Sequence, residues 1–189
     1  MKVEIVFIMD NSGSMMMVRD DAIGGFNSFL ADQRSVPGEA SMTLVLFNDR
    51  AVTLCDAVPL EDVSAFNSTT YQPGGFTALL DAIGITFTRV GKRLEGLERK
   101  PDKVIVAILT DGQENASREY THEQIAEMIK HQQEKYSWEV IFLAANQDAF
   151  RTGGSLNIKA DNTANYVASK DGTRDAYRLM SNTVRGMRL

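Results

Sequence analysis

The chain has 189 residues, of which 43% are hydrophobic and 24% charged, and this ordinary globular composition disfavours disordered and collagen-like proteins. With 20 Lys and Arg against 25 Asp and Glu, the net charge is −5, so the chain as a whole has no electrostatic attraction for nucleic acid or anionic lipid. The length is that of one domain, and we expect a single domain over residues 1–189.

The cysteine content and the apolar runs indicate the compartment. The single cysteine, Cys55, excludes an internal disulfide framework and suits a reducing environment. The first apolar run covers only residues 5–9, which is too short for a secretory signal. No stretch approaches the roughly 20 apolar residues that a membrane helix needs. We therefore expect a cytoplasmic protein that does not bind membranes.

Apolar runs of two kinds alternate along the chain. Continuous runs rich in β-branched residues predict buried strands, and apolar residues spaced three or four apart predict helices. The predicted strands are residues 3–9, 42–47, 51–55, 103–109 and 138–144, with a candidate edge strand at 156–158. The predicted helices are residues 15–33, 61–67, 77–94, 121–129, 148–151 and 171–184. Alternating strands and helices predict an α/β domain with helices on both faces of the sheet.

Local signals refine this outline. Asn48 and Asp49 lie between two predicted strands and indicate a β-hairpin, which makes those strands antiparallel neighbours. Thr121 and Gln124 have the spacing of a helix capping box. The pair Gly24–Gly25 costs about 1 kcal/mol per glycine inside a helix relative to alanine, so we expect close packing there.

Three loops carry small side chains with oxygen atoms, each where a strand ends or a helix begins. They are Asp10–Ser14, Gly74–Thr77 and Thr110–Gly112. In open α/β sheets, ligands bind beyond the carboxyl ends of the strands. We expect the first strand and the strand at 103–109 to be central neighbours, which would place Asp10 and Asp111 in one crevice.

The side chains of these loops are hard oxygen donors, without Cys or His among them. Such donors favour Mg²⁺, Mn²⁺ or Ca²⁺ over Zn²⁺ or Cu²⁺. The spacing of Asp10, Ser12 and Ser14 allows one tight loop to turn all three towards one point, with Gly13 supplying backbone freedom. Because hydroxyl ligands are neutral, they leave most of the charge of a cation uncancelled, and a carboxylate from another molecule would be a suitable last ligand.

The pattern Asp10-x-Ser12-x-Ser14, followed by Thr77 and Asp111, resembles the metal-ion-dependent adhesion site of von Willebrand factor A domains. The surrounding segments DNSGSM, GGFTALLDAI and ILTDGQEN match as well, and the resemblance covers nearly the whole chain. It implies a Rossmann-like, doubly wound, mostly parallel sheet with one antiparallel edge strand, here residues 51–55, and helices on both faces.

The resemblance also implies a role for each of the five residues. Ser12 and Ser14 would bind the metal through their hydroxyl oxygens, and Thr77 would join them in the ligand-competent state. Asp10 and Asp111 would act directly or through water. The family binds an Asp or Glu of a partner protein through the metal and is generally not catalytic. This chain is most similar in pattern to the stand-alone intracellular members of bacteria and phages.

Two other functions remain open. Paired aspartates around Mg²⁺ can also serve a hydrolase or phosphatase, although no general base or phosphate-binding lysine lies near the three loops in sequence. A structural adaptor with a vestigial metal site is the other alternative. Phe76, which stands between Gly75 and Thr77, departs from the family pattern and leaves the position of that loop open.

Several polar and apolar residues have simpler structural interpretations. Asp81 is expected to stabilise the dipole of its helix rather than to bind metal. Met15–Met17 are expected to pack in the core. Glu114 and Asn115 either line the rim of the crevice or begin the next helix. Four arginines of the closing helix are expected to form a solvated face: Arg174, Arg178, Arg185 and Arg188. With no mechanical input expected beyond Leu189, we also expect this helix to move little on ligand binding.

Overall fold

The computed structural model describes residues 1–189 and contains one six-stranded sheet with helices on both faces. The strands are β1 (Lys2–Asp10), β2 (Glu39–Phe47), β3 (Ala51–Pro59), β4 (Lys103–Thr110), β5 (Glu139–Ala144) and β6 (Thr163–Asn165). The helices are α1 (Arg19–Ser35), α2 (Leu79–Glu95), α3 (His122–Tyr136), α4 (Ala149–Ser155) and α5 (Lys170–Arg188). Short 3₁₀ helices cover Gly13–Val18, Leu60–Asp62 and Ala160–Asn162. None of the helices combines the length and the apolar character needed to cross a membrane.

The strand order is β3-β2-β1-β4-β5-β6, and every neighbouring pair is parallel except β2 and β3. The exception follows from the hairpin loop at residues 48–50, which is too short for a crossover. This confirms the predicted fold, including β3 as the antiparallel edge strand. Because β1 and β4 are central neighbours, their carboxyl ends lie side by side, with Met9 opposite Leu109.

The central strands read as continuous apolar runs because both faces of the sheet are covered. Ile5 and Phe7 pack in one core with α1 and α5, whereas Val6 and Ile8 pack in a second core with α2 and α3. All four side chains are fully buried. The two cores hold β1 rigidly, and β1 carries the first candidate loop at its end.

Two predicted elements are wrong. Residues 156–158 follow α4 and form a turn in which Asn157 has a φ of 61°, and the edge strand is β6 instead. Leu156 and Ile158 are buried in the core, whereas Asn157 between them is exposed. A turn that buries two of its side chains therefore gives the alternating pattern of an edge strand. The predicted helix at 61–67 is absent, and only Leu60–Asp62 forms a 3₁₀ turn. Val63 and Phe66 have helical spacing because both are buried, although the segment that carries them is not helical.

The glycine pair in α1 explains how α1 and α5 approach each other. A Cβ atom on Gly25 would lie 2.4 Å from the ring of Tyr177, so only glycine fits under that ring. Gly24 faces open space, and the expected close packing is therefore confirmed for Gly25 alone. The capping box of Thr121 and Gln124 is confirmed, with both of its hydrogen bonds present at the start of α3.

The expectation of a solvated arginine face on α5 is wrong for Arg188. Its side chain is buried and donates hydrogen bonds to the backbone oxygen and Oε1 of Gln33, at the carboxyl end of α1. A cation is favourable there because the last carbonyls of a helix carry partial negative charge. Arg174 is exposed but forms an ion pair of 2.7 Å with the buried Asp21 on α1.

Candidate metal centre

Asp10 organises two of the three loops from its place at the end of β1. Its buried carboxylate accepts a hydrogen bond from the Ser12 amide at 2.7 Å through Oδ1. Through Oδ2 it accepts bonds from the Thr110 hydroxyl at 2.7 Å and the Asp111 amide at 3.3 Å. Its two oxygens are therefore engaged within the protein, and Asp10 fixes the shape of the first and third loops.

The two serines and Asp111 meet at one point. Ser14 Oγ donates a hydrogen bond of 2.6 Å to Asp111 Oδ1, across 97 residues of sequence. Ser12 Oγ lies 3.2 Å from Ser14 Oγ. Ser12 and Asp111 are buried, whereas Ser14 is exposed at the surface of the loop. Three oxygen-bearing side chains are thus grouped at a place that solvent reaches.

The second loop brings Thr77 to the same place. The Gly13 amide donates to the Gly75 carbonyl at 2.9 Å, and the Gly74 amide donates to the Asn11 carbonyl at 2.9 Å. These bonds join the second loop to the first. A Cβ atom on Gly112 would lie 3.4 Å from Thr77 Oγ1 and 3.9 Å from Ser14 Oγ, so the third loop is in contact as well. All five predicted residues are therefore brought together.

Phe76 is accommodated by turning its side chain outward. Its ring is 66% exposed, and its amide donates to Asp49 Oδ1 at 3.2 Å. The preceding Gly75 has a φ of 78°, a conformation that favours glycine, and the Asn48 amide group donates to the Gly74 carbonyl. The departure from the family pattern therefore leaves Thr77 at the centre and adds an aromatic ring at the rim.

Asn115 and Glu114 do not begin a helix, and both lie beside the centre and form specific hydrogen bonds there. Asn115 forms two hydrogen bonds with Thr77. Its side-chain Oδ1 accepts from the Thr77 backbone amide at 2.9 Å, and its backbone amide donates to the Thr77 carbonyl at 3.0 Å. Glu114 Oε2 accepts from the Leu80 amide at 3.0 Å, at the first turn of α2. The sequence shows only a polar run after Asp111, which does not specify the partners of these hydrogen bonds.

Asp81 does more than stabilise the dipole of α2. Its carboxylate accepts backbone hydrogen bonds of 2.8 to 2.9 Å from Arg118, Glu119 and Tyr120. In return the Asp81 amide donates to Ser117 Oγ at 3.0 Å. The loop after β4 is therefore fastened to the start of α2, and both flank the candidate centre.

The electrostatics of the centre suit a cation. Burial raises the pKa of Asp111 from 3.8 to about 6, the Ser14 hydrogen bond opposes this rise, and the nearby Asp10 carboxylate adds to it. A bound divalent cation would relieve the cost of holding two buried carboxylates close together. No group of three or more His, Cys, Asp or Glu side chains suited to a metal occurs in the protein. A cation here would therefore depend on the hydroxyls, a donor set that fits Mg²⁺, Mn²⁺ or Ca²⁺.

Comparison with known proteins gives a consistent picture. Residues 4–178 match the family model of the von Willebrand factor type A domain. No curated protein matches the chain. Among solved structures, proximal thread matrix protein 1 from the mussel byssus is 18% identical with a TM-score of 0.65, covering 97% of this chain and 46% of its own.

Two further structures are similar. A von Willebrand factor type A protein from Catenulispora acidiphila is 16% identical with a TM-score of 0.62, covering 98% of this chain and 43% of its own. The ArnB paralog VWA2 from Sulfolobus acidocaldarius is 16% identical with a TM-score of 0.57, covering 95% and 44%. The chain spans less than half the length of these proteins, and the likeness supports the fold.

Proposed function

Since the chain belongs to the von Willebrand factor type A family, whose members are generally protein-interaction modules, we propose that it binds a partner protein through a divalent cation. The cation would be held by Asp10, Ser12, Ser14, Thr77 and Asp111. The observation that carries this proposal is the contact between Ser14 and Asp111, with Thr77 against the same point. When bound, Mg²⁺, Mn²⁺ or Ca²⁺ would supply a positive charge with an open position for an oxygen ligand.

We propose a distinct role for each of the five residues. Ser12, Ser14 and Thr77 offer neutral hydroxyl oxygens, and Asp111 offers a carboxylate held by Ser14. Asp10 orients the loops through its bonds to Ser12, Thr110 and Asp111. Because most donors are neutral, charge remains for a carboxylate of the partner, and we propose that an Asp or Glu side chain supplies it.

The hydrolase alternative is not favoured, because the family generally serves protein interaction. It has a direct test: Mg²⁺-dependent hydrolysis of a phosphate ester that disappears in Asp10→Asn would support an enzyme in place of a binding module.

Thermal unfolding tests the metal centre. The protein would be melted with MgCl₂, MnCl₂ or CaCl₂, and again with EDTA. We expect Tm to rise with at least one metal, because a ligand of the folded state stabilises it by mass action. Ser14→Ala should abolish the rise, whereas Ser64→Ala, at an exposed serine beside β3 and outside the three loops, should keep it. A wild-type Tm that no metal changes, with no heat in a calorimetric titration at millimolar metal, would contradict the proposal.

A further inference from the structure

Three large apolar side chains are exposed on the loops that carry the hydroxyls of the candidate centre. Met16 and Met17 follow Ser14 in the chain, and they are 53% and 84% exposed. Phe76, which precedes Thr77, is 66% exposed. Met15 alone of the methionine run packs in the core, so the core-packing expectation is wrong for the other two.

These side chains belong to loops that are fixed against each other. The hydrogen bond from Gly13 to Gly75 joins the methionine loop to the phenylalanine loop at 2.9 Å. The Phe76 backbone amide donates a hydrogen bond to Asp49, which fixes the backbone at the position where the ring is exposed. The ring also lines a groove of about 930 Å³ that lies between residues 48–50 and residues 115–119.

The charges that line this groove nearly balance, with two arginines against three carboxylates. Arg50 and Arg118 are exposed on its lining and take part in no salt bridge, and the exposed carboxylates of Asp49 and Glu119 balance them. The remaining carboxylate, Asp81, is engaged by three backbone amides. The groove therefore attracts neither a polyacidic nor a polybasic segment as a whole.

The methionine loop is balanced in the same way. Arg19, which follows Val18 at the end of the 3₁₀ turn, forms an ion pair of 3.1 Å with Asp20. With charges nearly balanced on both sides of the centre, the exposed apolar side chains are a feature beside it that can select among carboxylate-bearing partners.

We propose that the partner segment carries a large apolar side chain next to its metal-bound carboxylate, and that this side chain packs on the exposed ring of Phe76. The inference rests on the proposed metal-bridged binding and adds the identity of the neighbouring residue. Because burial of apolar surface favours association, loss of this contact should weaken binding about tenfold.

A random-peptide phage library tests this without a known partner. The library would be selected on the wild-type protein in MgCl₂, with elution by EDTA. We expect the recovered peptides to contain an Asp or Glu with Leu, Ile, Met, Phe or Trp one or two positions away. The consensus peptide, measured by calorimetry, should bind Phe76→Ser about tenfold more weakly. Leu179→Gln, which removes an exposed apolar side chain on α5, is the matched control and should bind as the wild type does.

The outcomes separate the two proposals. Acidic peptides without an apolar neighbour, or equal affinity for the wild type and Phe76→Ser, would overturn the inference and leave metal-bridged binding intact. If no peptide is released by EDTA, or if Ser14→Ala selects the same peptides as the wild type, metal-bridged binding itself fails and the inference fails with it.

Discussion

At the scale of single residues, the reciprocal pair of Asn115 and Thr77 explains how a loop residue stays at the centre. Thr77 contributes no side-chain hydrogen bond to its own positioning, whereas its amide and carbonyl are both bonded to Asn115. Asn115 is therefore a positioning residue that acts through Thr77. Its contribution can be measured apart from that of the metal ligands themselves.

Asn115→Ala removes the acceptor for the Thr77 amide, and we expect a loss of about 1 kcal/mol in the free energy of unfolding. The metal-dependent rise in Tm should also shrink, because Thr77 would be less firmly held. Asn115→Asp keeps the acceptor oxygen and should restore most of both quantities. Denaturant unfolding and thermal melts with MgCl₂ measure the two effects, and an Ala variant equal to the wild type in both would refute the positioning role.

The buried Asp111 predicts an unusual pH dependence of the metal-free protein. Burial raises its pKa from 3.8 to about 6, so between these values the folded state binds more protons than the unfolded state. The contribution of this group to stability therefore falls as pH rises from about 4 to about 6 and stays constant above that. Protons and metal would compete for the same carboxylate, so metal affinity should weaken below about pH 6.

Asp111→Asn should remove this pH-dependent loss of stability in EDTA, since the amide does not ionise. Denaturant unfolding at a series of pH values, for the wild type and the variant, measures the difference. Parallel curves for the two proteins would show that Asp111 titrates normally.

Two buried tyrosines beside the centre offer a matched comparison. Tyr71 donates a hydrogen bond of 2.7 Å from its hydroxyl to the Asp10 carbonyl, whereas the Tyr177 hydroxyl has no hydrogen-bond partner. Tyr71→Phe should therefore cost about 1 kcal/mol, and Tyr177→Phe should leave stability unchanged or higher, because it removes a buried polar group that gains nothing. Equal losses measured by denaturant unfolding would show that the Tyr177 hydroxyl is satisfied after all.

At the scale of elements, the prediction agrees best with the structure where the residues of a strand alone carry the signal for that strand. β1 and β4 were predicted within one residue at each end, because parallel strands buried on both faces read as continuous apolar runs. β6 was missed since it has three residues, two of them threonine and asparagine, and its pairing with β5 is not a local property.

The candidate centre divides in the same way. The five oxygen-bearing residues follow strand ends or precede a helix, so their convergence could be predicted from topology. The contacts of Asn115, Glu114 and Asp81 could not be predicted, because each joins a side chain to backbone groups that lie 34 to 39 residues away. Every residue except proline has the same backbone N–H group, so the sequence does not show which backbone groups act as partners.

Two substitutions test whether the strands determine folding while the loops determine binding. Val106→Asp should unfold the domain, because it places an unpaired carboxylate at a fully buried position of β4, at a cost of several kcal/mol. Ser14→Ala changes an exposed loop and should leave the fold intact, as judged by far-UV circular dichroism, while metal-dependent binding is lost. If Ser14→Ala unfolded the protein as severely, the loop would be a structural element rather than a binding site.

At the scale of the whole molecule, α5 is fastened to the rest of the domain along its length. Tyr177 lies flush on Gly25 of α1, where the backbones can approach closely. Further along, the Gln33 side chain donates to the Ser181 carbonyl at 3.0 Å, and Arg188 donates to the Gln33 carbonyl. Sliding of α5 along α1 would break these buried hydrogen bonds and move the Tyr177 ring away from its contact with Gly25.

This fastening predicts a helix that stays in place when the centre is filled. A ligand can shift a conformational equilibrium only by its difference in affinity between the two states, and a displaced α5 would have to offset the lost bonds of Gln33 and Arg188. Hydrogen exchange of residues 177–184 should therefore be nearly the same in EDTA, in MgCl₂, and in MgCl₂ with a peptide selected from the library. Changes in protection should be confined to residues 74–77 and the loops that contact them. A large metal-dependent change across 177–184, together with one at 74–77, would show that the centre and the helix move as one unit.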